Sequence, residues 1–393
     1  MMQIRFDPKK GIWADDEETV DKLKRNYFGR EKGKIILLNI EEALYMMNFQ
    51  NTTCLLDDKP LSFNDLASHY ISREPRLFVR YNAYRDWRDR GLVILRSDGA
   101  KKANGKRAFK HYPKKEARFG RVEAKAQWYP DSMFSVMEGG EEAKRLFNDF
   151  WFGQYGIYKQ DRGHLLKLNF LETVFLSKHM GVRVLDADGK TIGHEKLLND
   201  ITSRREYTKQ LYDVYEDWRV AGFVVKTGFK FGSHFRIYFP GASPAKGGKW
   251  VHSKHVLHVF PKEQRLLISE WARVVRVAHS VKKTFILALP KITDKELVDY
   301  PADFVAYRRK KSQGQLVRET PEDGPRYLLA AVSEDEHIGG IELASLLKNA
   351  EDKGLELILS ITDRESSVTY YLLKRIMVSD SGYEYYEIEW HKP

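Results

Sequence analysis

Three polar side chains between residues 212 and 290 have the types needed to cut RNA without a metal: Tyr238, His252 and Lys283. Such a cut needs a base for the 2′-hydroxyl, an acid for the leaving 5′-oxygen and a cation for the extra charge on phosphorus. Tyrosine, histidine and lysine can fill these roles. A tyrosine on a strand more often packs than reacts, so spacing alone leaves both readings open.

The flanking residues predict the elements that would position the three. From Phe223 onward apolar and polar residues alternate, with Gly228 and Gly232 as bends, which is a broken strand pattern. Phe235, Ile237 and Phe239 share one face of that strand, and His234, Arg236 and Tyr238 the other. Further on, Trp271, Val274, Val275 and Ala278 recur at helical spacing with Arg273 and Arg276 among them. The chain then passes Lys282 and Lys283 into a second apolar strand, TFILAL.

The rest of the chain bounds the partner. It has 393 residues, a net charge of +11 and 42% hydrophobic content, enough for two to four compact units. The basic excess favours a polyanionic partner, nucleic acid first. Cys54 is the single cysteine, so there is neither an intrachain disulfide nor a CxxC metal motif. No apolar run reaches the ~18 residues of a membrane span, and MMQIRFDPKK lacks the apolar core of a secretory signal. A cytoplasmic protein with no membrane association is the expectation.

Internal repetition organises the chain. EETVDKLKRNYFG (17–29) matches EEAKRLFNDFWFG (141–153), and GKIILLNIEEAL (33–44) matches GHLLKLNFLETV (163–174). YNAYRDWRDRGLVI (81–94) matches YDVYEDWRVAGFVV (212–225) at an offset of 131. Each copy reads as helix, strand, helix, loop and helix pair, then DWRxxG into a strand. The second copy carries a longer loop, QYGIYKQDR, whose interleaved aromatic and basic residues suit RNA contact, with Lys159 the first choice. Copy one becomes unreadable after Ile94, where a basic run from 101 to 121 suits either a solvated loop or an RNA-binding arm. A third, partial copy aligns 270–289 with 342–361 at an offset of 72, which turns Lys283 into Leu355 and His252 into Gly324. Tyr307 echoes Tyr238 at a slightly different offset. The expected fold class is therefore α+β: tandem small mixed units, helix-rich in their N-terminal parts and sheet-and-helix in their C-terminal parts. One copy is catalytic and two are degenerate. The divisions expected are 1–130, 131–290 and 291–393.

VVKTGFKFGSHFRIY, HSKHVLHVFP and RVAHSVKK resemble the catalytic half of the archaeal tRNA-splicing endonucleases, whose pattern is GYVVKTGxKFGxDFRVY, HSxYLV and VRVAHSVRKK. The resemblance covers about 80 residues. It departs at GSHF, where the family has GxDF, and in the insert PGASPAKGGKW before His252. It implies Tyr238 as general base, His252 as general acid and Lys283 as stabiliser of the transition state. It also implies that Arg276 clamps a bulged base, and Arg236 and Arg273 are further candidate RNA contacts. The implied substrate is precursor tRNA with a bulge-helix-bulge at its exon–intron junctions, and the products a 2′,3′-cyclic phosphate and a 5′-hydroxyl. Two cleavage points and one intact triad per chain imply a homodimer. An acidic loop, Glu334, Asp335 and Glu336, sits where the family inserts such a loop into a partner's positive groove.

No metal or other cofactor is expected. Carboxylates are sparse near Tyr238 and His252, and alternation along one strand would turn His255 away from His252 and His258. The alternative is a non-catalytic RNA-binding or assembly subunit, because copies one and three show the pattern outliving its chemistry.

Overall fold

The computed structural model describes residues 2–99, 110–111, 117–157, 162–244, 252–378 and 380–393. It is a mixed α and β molecule built around one eleven-stranded sheet. Ten strands form its path: β1 (Ile94–Arg96), β2 (Val224–Thr227), β3 (Phe235–Tyr238), β4 (His255–Val259), β5 (Thr284–Pro290), β6 (Phe304–Ala306), β7 (Tyr327–Ser333), β8 (Glu356–Thr362), β9 (Val368–Met377) and β10 (Tyr383–His391). Their order is β2-β3-β4-β5-β10-β9-β8-β7-β6-β1, and Lys110–His111 pairs with β9 off this path.

The two halves of the sheet match strand for strand outward from the β9–β10 pair. In one half β4 and β5 run parallel and His255 lies opposite Thr284. In the other β7 and β8 run parallel and Tyr327 lies opposite Glu356. Each parallel pair needs a crossover. These are the helices Ile268–Ser280 (α4 below) and Gly340–Asp352 (α5 below), which share one face of the sheet. Short strands just before them, Arg265–Leu267 and His337–Gly339, pair antiparallel.

The opposite face is covered by two N-terminal units, each with a six-stranded sheet of corresponding order. A helix-rich reading missed these sheets. Their strands are mostly two to five residues long, too short to show alternation. The DWR motif ties each unit to the large sheet through helices α1 (Leu77–Asp89) and α3 (Thr208–Val220). Asp86 accepts a hydrogen bond from the Tyr370 hydroxyl on β9, and Asp217 from the Tyr385 hydroxyl on β10, each at 2.8 Å. Trp87 and Trp218 are fully buried edge-on against those same tyrosines. Arg88 and Arg219 lie over Phe28 and Phe152, at 4.0 and 3.8 Å from the ring centres.

This arrangement alters the expected boundaries. A cut at 130/131 falls in the turn of the hairpin Lys125–Tyr129 and Phe134–Met137, so the second unit begins upstream of it. A cut at 290/291 separates β5 from β10, its hydrogen-bonded neighbour. β10 borders β5, whereas β9 pairs with β8 and β10. Copy one does not end uselessly at Ile94, because β1 forms the edge next to β6. A pairing such as Ile94 with Ala306, 212 residues apart, leaves no local mark in sequence.

In the second unit, α3 is locked to α2 (Phe170–Met180) by Glu216, which accepts from His179 Nε2 (2.6 Å), Lys178 Nζ and the Tyr212 hydroxyl. Burial acts to raise the Glu216 pKa, but these donors outweigh it and hold it at about 2. A depressed carboxyl stabilises above its unfolded pKa of ~4.3 and loses that contribution as pH falls through its folded value. Glu216→Gln should therefore lower the unfolding midpoint in urea at pH 7, and the gap to wild type should close as pH falls toward about 2. A gap independent of pH would contradict this assignment. Among the described residues, no helix is long and apolar enough to cross a membrane.

Candidate active site

Tyr238, His252 and Lys283 come from three neighbouring strands in one half of the large sheet. Tyr238 ends β3, where it lies opposite Val224 of β2. Ile237 lies opposite His255, so Tyr238 comes next to Lys254, whose N–H donates to the Ile237 carbonyl (3.0 Å). Thr284 N–H donates to the Lys254 carbonyl, which brings Lys283 alongside. Tyr238, Lys254 and Lys283 thus form a row across three strands, with the outer backbones about 10 Å apart. Alternation puts Arg236 on the same face as Tyr238, the face covered by α4 (Ile268–Ser280).

His252 lies two residues before Lys254 and is exposed. Lys283 Nζ donates to the carbonyl of Ser253, next to His252, at 2.7 Å. That bond draws the lysine to the backbone of the residue after the histidine. Burial lowers the Lys283 pKa from its ordinary value, and the nearby charge of Arg236 lowers it further. The Lys283 ammonium also lies 5.4 Å from the centre of the Phe231 ring. Lys282 before it has φ +55°, and the Lys283 N–H returns to the Ala278 carbonyl to end the helix.

The Tyr238 ring is buried against Trp151, Val224 and Ala242. Trp151 lies 4.8 Å from it, centre to centre, and the Arg236 guanidinium is 5.9 Å from its ring. Trp151 belongs to a turn that the expected site residues did not include. The sequence NFLE starts α2 with a capping box. Asn169 Oδ1 accepts from Glu172 N–H (3.0 Å), and Glu172 Oε2 from Asn169 N–H (3.1 Å). The other oxygen, Oε1, accepts from Gly153 N–H and from Lys226 Nζ, each at 2.8 Å. Lys226 also donates to the carbonyls of Trp151 (3.3 Å) and Gly153 (2.9 Å). Gly153 has φ +63°, and a Cβ there would lie 2.4 Å from the Lys167 carbonyl oxygen, so the turn admits only glycine. The buried Glu172–Lys226 pair therefore pins Trp151 against Tyr238. The N-x-x-E signal was legible, but its second use needs the fold.

Arg273 and Arg276 occupy exposed positions of α4, and the Arg276 charge lies close enough to the Tyr371 hydroxyl to oppose the upward shift that burial imposes on it. Arg236 donates to the Thr227 carbonyl at 2.7 Å. Lys159 lies outside the described residues, as does most of the basic run 101–121. The acidic loop is held by the chain's own arginines. Glu336 pairs with Arg76 (3.1 Å) and Asp335 with Arg364 (2.6 Å), and Glu334 accepts from the Arg364 N–H (2.9 Å). His255 is buried edge-on to Phe239, and His258 stacks on His234 at 4.2 Å, with both of these last two pKa values pushed far down by burial.

The other half of the sheet holds corresponding positions. Tyr307 N–H donates to the Val93 carbonyl, as Tyr238 lies opposite Val224, and 93 and 224 differ by the repeat offset of 131. The register of β7 and β8 puts Gly324 at the place of His252 and Leu355 at that of Lys283. This half retains the tyrosine alone. Beside it lies a cavity of about 870 Å³ lined by Glu42, Leu95, Arg96 and Tyr307.

Residues 208–300 match the family described as tRNA intron endonuclease, catalytic C-terminal domain. The chain is 32% identical to the tRNA-splicing endonuclease of Methanopyrus kandleri, over 42% of this chain and 87% of that protein. It belongs to the tRNA-splicing endonuclease family. It is also 34% identical to the Thermococcus kodakarensis tRNA-splicing endonuclease, over 42% of this chain and 84% of that protein. A longer alignment, to the Methanosarcina barkeri tRNA-splicing endonuclease, is 24% identical over 73% of this chain and 96% of that protein.

Proposed function

We propose that this chain cuts precursor tRNA at bulge-helix-bulge exon–intron junctions by metal-independent attack of the 2′-hydroxyl. Tyr238 takes the 2′-hydroxyl proton, and the 2′-oxygen forms a bond to phosphorus. His252 protonates the departing 5′-oxygen as its bond to phosphorus breaks, leaving a 2′,3′-cyclic phosphate and a 5′-hydroxyl. Lys283 stabilises the added charge in the transition state. Because the RNA supplies the nucleophile, in-line placement is the protein's main task, and unpaired bulges relax into that geometry more readily than a duplex. The observation that carries this reading is the bond from Lys283 Nζ to the Ser253 carbonyl, beside His252 and in the same row as Tyr238.

The half containing Tyr307, Gly324 and Leu355 is a degenerate copy completed by the first unit, and the half containing Tyr238 is the active copy completed by the second. One active copy per chain and two cleavage points per substrate call for a homodimer. Asp335, with its side chain half exposed, and its neighbours Glu334 and Glu336 are the docking loop toward the partner. Arg276, Arg273, Arg236 and Lys159 contact the RNA.

Cleavage of a bulge-helix-bulge precursor in excess chelator tests this. Cutting should persist, leave a cyclic phosphate and vanish when the 2′-hydroxyl at the cut is removed. Cutting that stops on chelation sinks the metal-independent scheme. Tight binding without cutting would favour an RNA-binding subunit.

A further inference from the structure

Beside Tyr238, His252 and Lys283 stands an aromatic ring that the chemistry leaves unused. Phe229 is 88% exposed, the most open of the large apolar side chains among the described residues. A phenyl ring left in water forgoes the stabilisation that burial would give it. The turn that carries it is stiff. Gly228 N–H donates to the His234 carbonyl (2.9 Å), Phe231 N–H to the Gly228 carbonyl (2.8 Å) and Gly232 N–H to the Phe229 carbonyl (3.1 Å). A Cβ on Gly228 would lie 2.4 Å from the Ser233 hydroxyl, so the turn is also tightly packed from below. Phe229 is therefore held outward by a short 3-10 turn, Phe229–Phe231, and not left on a loose loop.

The same turn touches the reaction centre. Phe231, two residues on and at most about 7.6 Å along the chain, places its ring 5.4 Å from Lys283 Nζ. Lys230 between the two rings is exposed. The surroundings are cationic: Arg236 lies on β3, with Lys282 and Lys283 at the end of α4. The half with the degenerate site has Ser97, Asp98 and Gly99 as its 3-10 turn at the corresponding place, since 98 and 229 differ by the repeat offset of 131. Among the described residues, the 3-10 turn beside the Tyr238 site carries an exposed ring with flanking cations, and an acid, Asp98, takes the ring's place in the other half.

An aromatic face next to lysines suits one class of ligand, an unpaired nucleobase whose phosphates the lysines hold. We propose that Phe229 is a stacking platform for an unpaired nucleotide next to the scissile phosphate, holding the RNA so that the 2′-oxygen stays in line. This rests on the reading of the site as an RNA-cleaving one. Lys230 contacts the neighbouring phosphate.

The test is equilibrium binding of a bulge-helix-bulge RNA made uncleavable by 2′-deoxy substitution at the cut, with 2-aminopurine in the bulge. Phe229→Ala should weaken binding about tenfold and abolish the quenching of 2-aminopurine seen with wild type. Phe229→Trp should retain both, and a fully paired duplex of equal length should bind Phe229→Ala and wild type alike. Equal affinity and equal quenching for Phe229→Ala on the bulged RNA would overturn the proposal, as would an equal loss on the duplex, which would mean a general surface effect. Wild type that binds and quenches but does not cut the all-ribose RNA would overturn the cleavage reading while the Phe229 comparison still decides the platform. Wild type that does not bind overturns both.

Discussion

His252→Ala is expected to slow single-turnover cleavage about 10²–10⁴-fold, the range for loss of a general acid. The folded state should be untouched, because His252 is exposed and precedes the paired part of β4. Surface changes of this kind usually fall within about 0.5 kcal/mol. Affinity for an uncleavable precursor should hold, since Lys283 keeps its bond to the Ser253 carbonyl through the backbone alone. A substrate with a sulfur leaving group at the 5′ position needs no protonation and should restore most of the rate. Loss of cleavage that this substrate does not relieve would mean that His252 only orders the loop. A rate within threefold of wild type would remove His252 from the mechanism.

Lys226→Leu is expected to destabilise the second unit by about 3–5 kcal/mol, the range for stripping one member from a buried ion pair. Glu172 is 1% exposed and would keep only the N–H groups of Gly153 and Asn169. The first unit shows the outcome of such a replacement. Leu95 stands there at the position of Lys226, and buried Glu42 keeps the equivalent N–H bonds from Gly29 and Asn39 at 2.8 Å. Burial pushes the Glu42 pKa up despite those donors. Glu172 in the variant should behave alike. A raised carboxyl is harmless below its unfolded pKa of ~4.3 and costs stability as pH rises through the folded value. The deficit of Lys226→Leu should thus be larger at pH 7 than at pH 4, by urea unfolding. Glu172→Gln added to Lys226→Leu should recover part of it. Cleavage should fall as well, because Trp151 loses the bond that holds its carbonyl beside Tyr238. A variant as stable as wild type at pH 7 would mean that the pair is solvated in solution.

The sequence by itself determined the local setting of Tyr238 and of the helix before Lys283. Alternation around FRIYF placed Tyr238 and Arg236 on one face, and helical spacing placed Ala278 inward and Arg276 outward, as the register and burial have them. The repeated DWR was legible as a motif, though not what it grips. Only the tertiary structure decided that Asp86 reaches Tyr370 and Asp217 reaches Tyr385, across 284 and 168 residues. It also decided that Tyr307, which the sequence offers as an echo of Tyr238 at an offset of 69, sits against Val93 as Tyr238 sits against Val224. The same holds for Lys226, whose role depends on a carboxylate 54 residues away. Periodicity records which way a side chain faces relative to its own strand or helix. Which strand comes to lie beside it is settled by long-range pairing, where chain connectivity and local pattern carry no information.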